Sequence, residues 1–164
     1  MFGLSTLGFV HTALSLMALA TGLVVVAGLV AGRRLDGWIA VYFVTAVATD
    51  ATGFALPRGF DMVHWLGLAM AAALLVAILA RYRFGLAGHW RPIFAVATVA
   101  SVYVLVFFTI GEAFLRIPAL KPLAPTLTEL PFALAQLAGL VLFGVLAVAA
   151  AVRCPPTSAP PPPA

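Results

Sequence analysis

The chain has 164 residues, of which 64% are hydrophobic and 9% charged, whereas soluble domains carry about 25% charged residues. That balance excludes a soluble globular domain and identifies an integral membrane protein. The formal charge of +4 comes from nine Lys and Arg against five Asp and Glu; these basic residues sit in short clusters between apolar runs, where they act as topology signals rather than as a nucleic-acid surface.

The apolar runs predict an all-α bundle of five transmembrane helices at about residues 5–31, 38–56, 60–80, 92–114 and 129–152, followed by a proline-rich, disordered tail over 154–164. The first run has no basic residue before it and is longer than a signal-peptide core, so it is expected to be retained as a span. Gly32 to Gly37 make a tight connection carrying Arg33 and Arg34. The second run brings Trp38 and Tyr42 to an interface and is interrupted by Thr45, Thr49, Asp50 and Thr52 before Pro57 stops it. An ionised Asp at the centre of a span costs about 2.5–3.5 kcal/mol, so Asp50 is expected to face other helices, a cavity or a ligand.

The third run ends at Arg81, Tyr82 and Arg83, and Pro92 suits the first turn of the fourth. Pro118, Pro122 and Pro125 keep the next connection irregular. Thr126 and Glu129 have capping-box spacing, but a start there puts Pro131 too deep in the fifth helix. A start at Thr128 is therefore expected, with the Glu129 side chain uncommitted. Cys154 is the only cysteine, which leaves no internal disulfide and no cysteine-based metal motif. Arg33, Arg34, Arg81, Arg83, Arg91 and Arg153 fall on one side and Arg58, Arg116 and Lys121 on the other, which predicts a periplasmic N-terminus and a cytoplasmic C-terminus.

With that topology each helix contributes one strong polar group to the outer third: His11, Asp50, His64, Glu112 and Gln136. Gly8, His11, Ser15, Ala18 and Gly22 form a small-residue stripe on the first helix, and Tyr42, Thr45, Thr49 and Thr52 a hydroxyl stripe on the second, adjoining Asp50. A bundle built on these faces points His11, His64, Asp50 and Glu112 at one another, with Ser15, Thr49 and Gln136 lining the same pocket. His11 and His64 on separate helices are candidate axial ligands for a b-type haem. Together with Asp50 and Glu112 they form a candidate nitrogen and oxygen site for a transition metal, and the same groups suit the head of a quinone-like ligand.

Two other classes stay open. A buried Asp near two His fits a proton relay or small transporter, although the inner two-thirds offers no second ionisable station. The small-residue stripes equally fit a non-catalytic accessory or assembly subunit, bound to a membrane protein partner or to copies of itself. Each polar group also has a purely structural use as an interhelical hydrogen bond. No hydrolytic or phosphate-binding motif is present, so an enzyme is the less favoured class.

Thr49-Asp50-Ala51-Thr52-Gly53-Phe54-Ala55-Leu56-Pro57, Leu79-Ala80-Arg81-Tyr82-Arg83-Phe84-Gly85-Leu86-Ala87-Gly88-His89-Trp90-Arg91 and Pro118-Ala119-Leu120-Lys121-Pro122-Leu123-Ala124-Pro125-Thr126 resemble a family of small bacterial inner-membrane proteins with no established activity. The resemblance covers nearly all of residues 7–152. It implies a multi-pass protein of the bacterial inner membrane, and it favours the two histidines over the two acids as site residues.

Overall fold

A computed structural model describes residues 6–33, 35–56 and 62–154. The expected turn at Pro57, Arg58 and Gly59, the start of the third helix through Asp61, Arg34 and the proline-rich tail beyond Cys154 lie outside the described residues. Five helices make up the fold, with no strand among the described residues: α1 Thr6–Val30, α2 Asp36–Phe54, α3 Met62–Ile78, α4 Trp90–Arg116 and α5 Leu130–Arg153. A π-helical turn, Leu79–Arg83, continues α3, and a short 3-10 turn, Lys121–Leu123, lies between α4 and α5.

Four of these elements are long and apolar enough to cross a membrane: Thr6–Val30, Val63–Arg83, Trp90–Arg116 and Leu130–Arg153. The exception is α2, which at 19 residues is diluted by Thr45, Thr49, Asp50 and Thr52. It is nonetheless packed inside the bundle, because α1, α2, α3 and α4 close a ring, each against the next, while α5 lies outside it against α4 and α1.

Local chemistry sets the helix ends. α1 stops at Gly32, whose φ of +66° is a left-handed value. There the Arg33 amide donates to Gly28 O at 2.9 Å and the Gly32 amide to Leu29 O at 3.0 Å, the paired bonds of a Schellman ending. α2 begins at Asp36, earlier than expected, because an acidic first turn complements the helix dipole. α4 runs past the expected end to Arg116, and Ile117 before Pro118 turns extended, as the residue before a proline must. The Phe84 and Trp90 rings stack at 3.8 Å across the connection between α3 and α4.

The ring's centre is built on close approach at Gly22. Tyr42, fully buried, lies against Gly22 of α1 and is neighbour to Val102 of α4. Its hydroxyl donates at 2.6 Å to Ser101 Oγ, since the Ser101 proton is given to Thr98 O at 2.8 Å. α5 buries only Gln136, Phe143 and Ala150, a stripe at seven-residue spacing. Its other faces expose Leu134, Leu137, Val141, Val145, Val148 and Val152. Such apolar faces suit acyl chains and not water, and they support a protein in contact with a lipid bilayer.

Candidate functional site

One turn at the C-terminal end of α2, residues 50–54, gathers three of the expected site residues. Asp50 lies one turn from the helix end at Phe54, about 6 Å along the axis, which is shallower than its place in the apolar run suggested. His11 reaches it from α1: His11 Nδ1 is 3.0 Å from Thr52 Oγ1, and its Cε1 is 3.3 Å from where a Cβ on Gly53 would stand. His64 reaches it from α3, its ring centroid 5.7 Å from that of Phe54.

The proton positions around His11 follow from the Thr52 hydroxyl. That hydroxyl donates to Ala48 O at 2.8 Å and to Thr49 O at 3.0 Å, so it is already committed as a donor. It accepts the bond from His11, and the neutral imidazole therefore carries its proton on Nδ1, with Nε2 as the basic nitrogen. Thr45 likewise gives its proton to its own helix, at Val41 O and Tyr42 O. Two hydroxyls of the expected stripe on α2, Thr45 and Thr52, are thus satisfied within the helix, as helical threonines commonly are, while Tyr42 reaches across to Ser101. Thr49 differs: its hydroxyl is buried with no hydrogen-bond partner among the described residues.

Asp50 is half-buried, and Gly67 is what lets it lie against α3. A Cβ at that glycine would stand 3.4 Å from Asp50 Oδ1 and 3.1 Å from Phe54 Cζ. No hydrogen bond or ion pair joins the Asp50 carboxyl to any of the described residues. In a membrane setting this is the most exacting group of the site, since a carboxylate withdrawn from water needs donors or a countercharge.

The remaining expected members of the layer are elsewhere. Glu112 is exposed and ion-paired with Arg116 one turn along α4, so it does not join the other three. Gln136 is buried between α4 and α5, where its Nε2 donates to Phe107 O at 3.0 Å and its Oε1 has no partner among the described residues. Ser15 gives its proton to His11 O at 2.7 Å, steadying the turn that carries the histidine rather than facing a ligand. Among the described residues no group of three or more His, Cys, Asp or Glu is close enough to hold a metal ion. The four-residue metal set of His11, Asp50, His64 and Glu112 is therefore not assembled.

Glu129 is also corrected: its carboxylate is committed. It accepts from Thr126 Oγ1 at 2.7 Å and from the Thr126 and Thr128 amides at 3.2 and 3.1 Å, and these bonds, the Thr126 hydroxyl first, hold it below the usual carboxylate range. Leu127, with φ +61°, turns the chain so that both amides meet the same carboxylate.

At the opposite end of the bundle, sequence reasoning missed the pair Asp36 and Arg81, 2.5 Å apart. At a sequence separation of 45 and with no helical spacing relating them, no sequence pattern links the two. Burial pushes the neighbouring Cys154 thiol up, and Arg91 and Arg81 partly offset that.

No protein-family model matches the chain, and neither a curated protein nor a solved structure is found to match it.

Proposed function

We propose that this chain is a five-span protein of the bacterial inner membrane, N-terminus periplasmic and C-terminus cytoplasmic, that binds a lipid-soluble small molecule with a hydroxyl-bearing, quinol-type head. The binding site is the outer end of α1, α2 and α3. The topology rests on the arginine-rich connections at one end of the bundle, and the membrane on the resemblance given above.

The observation that carries the reading is the Asp50 carboxyl: half-buried, lodged against Gly67, and without a hydrogen-bond donor among the described residues. A ligand hydroxyl supplies that donor, while His11 and His64 meet the same turn of α2 from two other helices. A charge-assisted hydrogen bond of this kind contributes about 1.5–3 kcal/mol.

Haem and metal have less support. The His11 and His64 rings lie against Thr52, Gly53 and Phe54, so axial ligation of one haem by both requires that turn of α2 to move aside. A proton relay also has less support, because between Asp50 and the far end the buried polar side chains along α2 and α4 are hydroxyls only: Thr49, Thr45, Tyr42, Ser101 and Thr98. Binding of a short-chain quinol to the wild-type chain and to Asp50→Asn, measured by titration calorimetry in mild detergent, tests the assignment.

A further inference from the structure

The end of the bundle opposite Asp50 collects the C-terminus of α1, the start of α2, the π-helical turn, the start of α4 and the last residues of α5. Among the described residues it carries Arg33, Arg81, Arg83, Arg91 and Arg153, and Asp36 is its one carboxylate. Asp36 is already bound to Arg81. Arg153 donates to Val30 O at 3.1 Å, which caps the end of α1 and fixes α5 beside it. Positive charge therefore exceeds what the described residues neutralise.

Two of these guanidiniums are drawn inward rather than splayed into solvent. The Arg81 side chain is only 14% exposed and lies over the Tyr82 and Phe94 rings, at 5.5 and 5.9 Å from their centroids. The Nε–H groups of both Arg81 and Arg91 are buried and have no hydrogen-bond partner among the described residues. Arg33, Arg81 and Cys154 border one crevice with Asp36 and Phe94, and both Arg81 and Arg91 act electrostatically on the Cys154 thiol. Arg33 and Arg81 thus meet at one crevice, and Arg91 is near enough to act on the same thiol. The crevice itself has room for only about 10 Å³, the space of one water, so an anion would rest on its rim.

What surrounds this rim identifies the anion. Exposed Trp38 and Tyr82 and the stacked Phe84 and Trp90 are the aromatic residues expected at headgroup level. At that level the abundant anion is the phosphate of an acidic lipid, basic recesses between transmembrane helices are known hosts for such headgroups, and the guanidinium fork matches phosphate oxygens two at a time. We propose that Arg33, Arg81 and Arg91, gathered about Cys154, bind the phosphate of an anionic phospholipid headgroup. This site is distinct from the one at Asp50 and does not depend on it.

Native mass spectrometry of the full chain, released from micelles titrated with phosphatidylglycerol or phosphatidylcholine, tests the proposal. Phosphatidylglycerol is expected to bind about tenfold more tightly. The doubly substituted Arg33→Gln, Arg91→Gln chain is expected to lose that preference, while Arg83→Gln, outside the recess and exposed, keeps it. Arg33→Gln alone alters an exposed side chain and is expected to weaken phosphatidylglycerol several-fold in a normally folded protein, which keeps the test decisive if the double variant misfolds. Equal binding of the two lipids, a preference untouched by Arg33→Gln, or an equal loss in Arg83→Gln would overturn the assignment. Displacement of the lipid by millimolar inorganic phosphate would assign the rim to a soluble anion instead and would equally overturn it.

Discussion

His11 Nδ1 donates to Thr52 Oγ1 across 3.0 Å, and this bond ties α1 to α2 within a turn of Asp50. Because the Thr52 proton belongs to its own helix, the bond runs in one direction only. Thr52→Val removes the acceptor and is expected to cost about 0.6 kcal/mol, the average for an interhelical hydrogen bond in a membrane protein. Nitrogen NMR of labelled histidine should find His11 protonated on Nδ1 in its neutral form in the wild type, with that preference lost in the variant. An Nε2-protonated ring in the wild type would refute the assignment.

Gly22 sets the spacing of the ring of helices. A Cβ there would stand 2.8 Å from Val102 Cγ2 and 2.9 Å from Tyr42 Cε2, and the Tyr42 ring is fully buried with nowhere to move. Gly22→Ala is expected to destabilise the bundle by about 1–3 kcal/mol through overpacking. Gly144→Ala on α5, where a Cβ meets nothing within 4 Å, should be close to neutral. Unfolding in mixed micelles of increasing dodecyl sulfate content compares the two.

The Thr126 hydroxyl and the Thr126 and Thr128 amides hold the Glu129 carboxyl below its usual range. A lowered folded-state value means that the contribution is complete above the unfolded carboxylate value of about 4.3 and is lost as pH falls through the folded value. Protection of the Thr126 and Thr128 amides from hydrogen exchange should therefore hold at neutral pH and fall only in acid. Glu129→Ala should abolish it at every pH. Unchanged protection in that variant would show the turn to be held by other contacts.

The helices were legible because long apolar runs bounded by Arg, Gly and Pro leave few alternatives in a membrane. The layer of polar residues was legible only by depth. Depth does not specify azimuth, and a near neighbour can claim a side chain first. Glu112 is taken by Arg116 one turn away, a spacing visible in the sequence that could have signalled it. Glu129 reaches back to Thr126 although Pro131 sits in the first turn, because Glu129 itself stands at the N-cap and Leu127 adopts a left-handed turn. Gln136 lies on the one helix outside the ring, which the order of elements along the chain does not reveal. His11, Asp50 and His64 meet the same turn of α2 because glycines at 53 and 67 allow close approach there.

The most direct test of the quinol-site assignment is the affinity of a short-chain quinol for the wild-type chain, Asp50→Asn and Glu112→Gln, measured by titration calorimetry in one detergent. Removal of a charged acceptor predicts a loss of about tenfold or more in Asp50→Asn, while Glu112→Gln, altered at an exposed ion pair on α4, binds as the wild type does. Equal affinity in the wild type and Asp50→Asn, or no saturable binding to the wild type, would contradict a ligand site at Asp50.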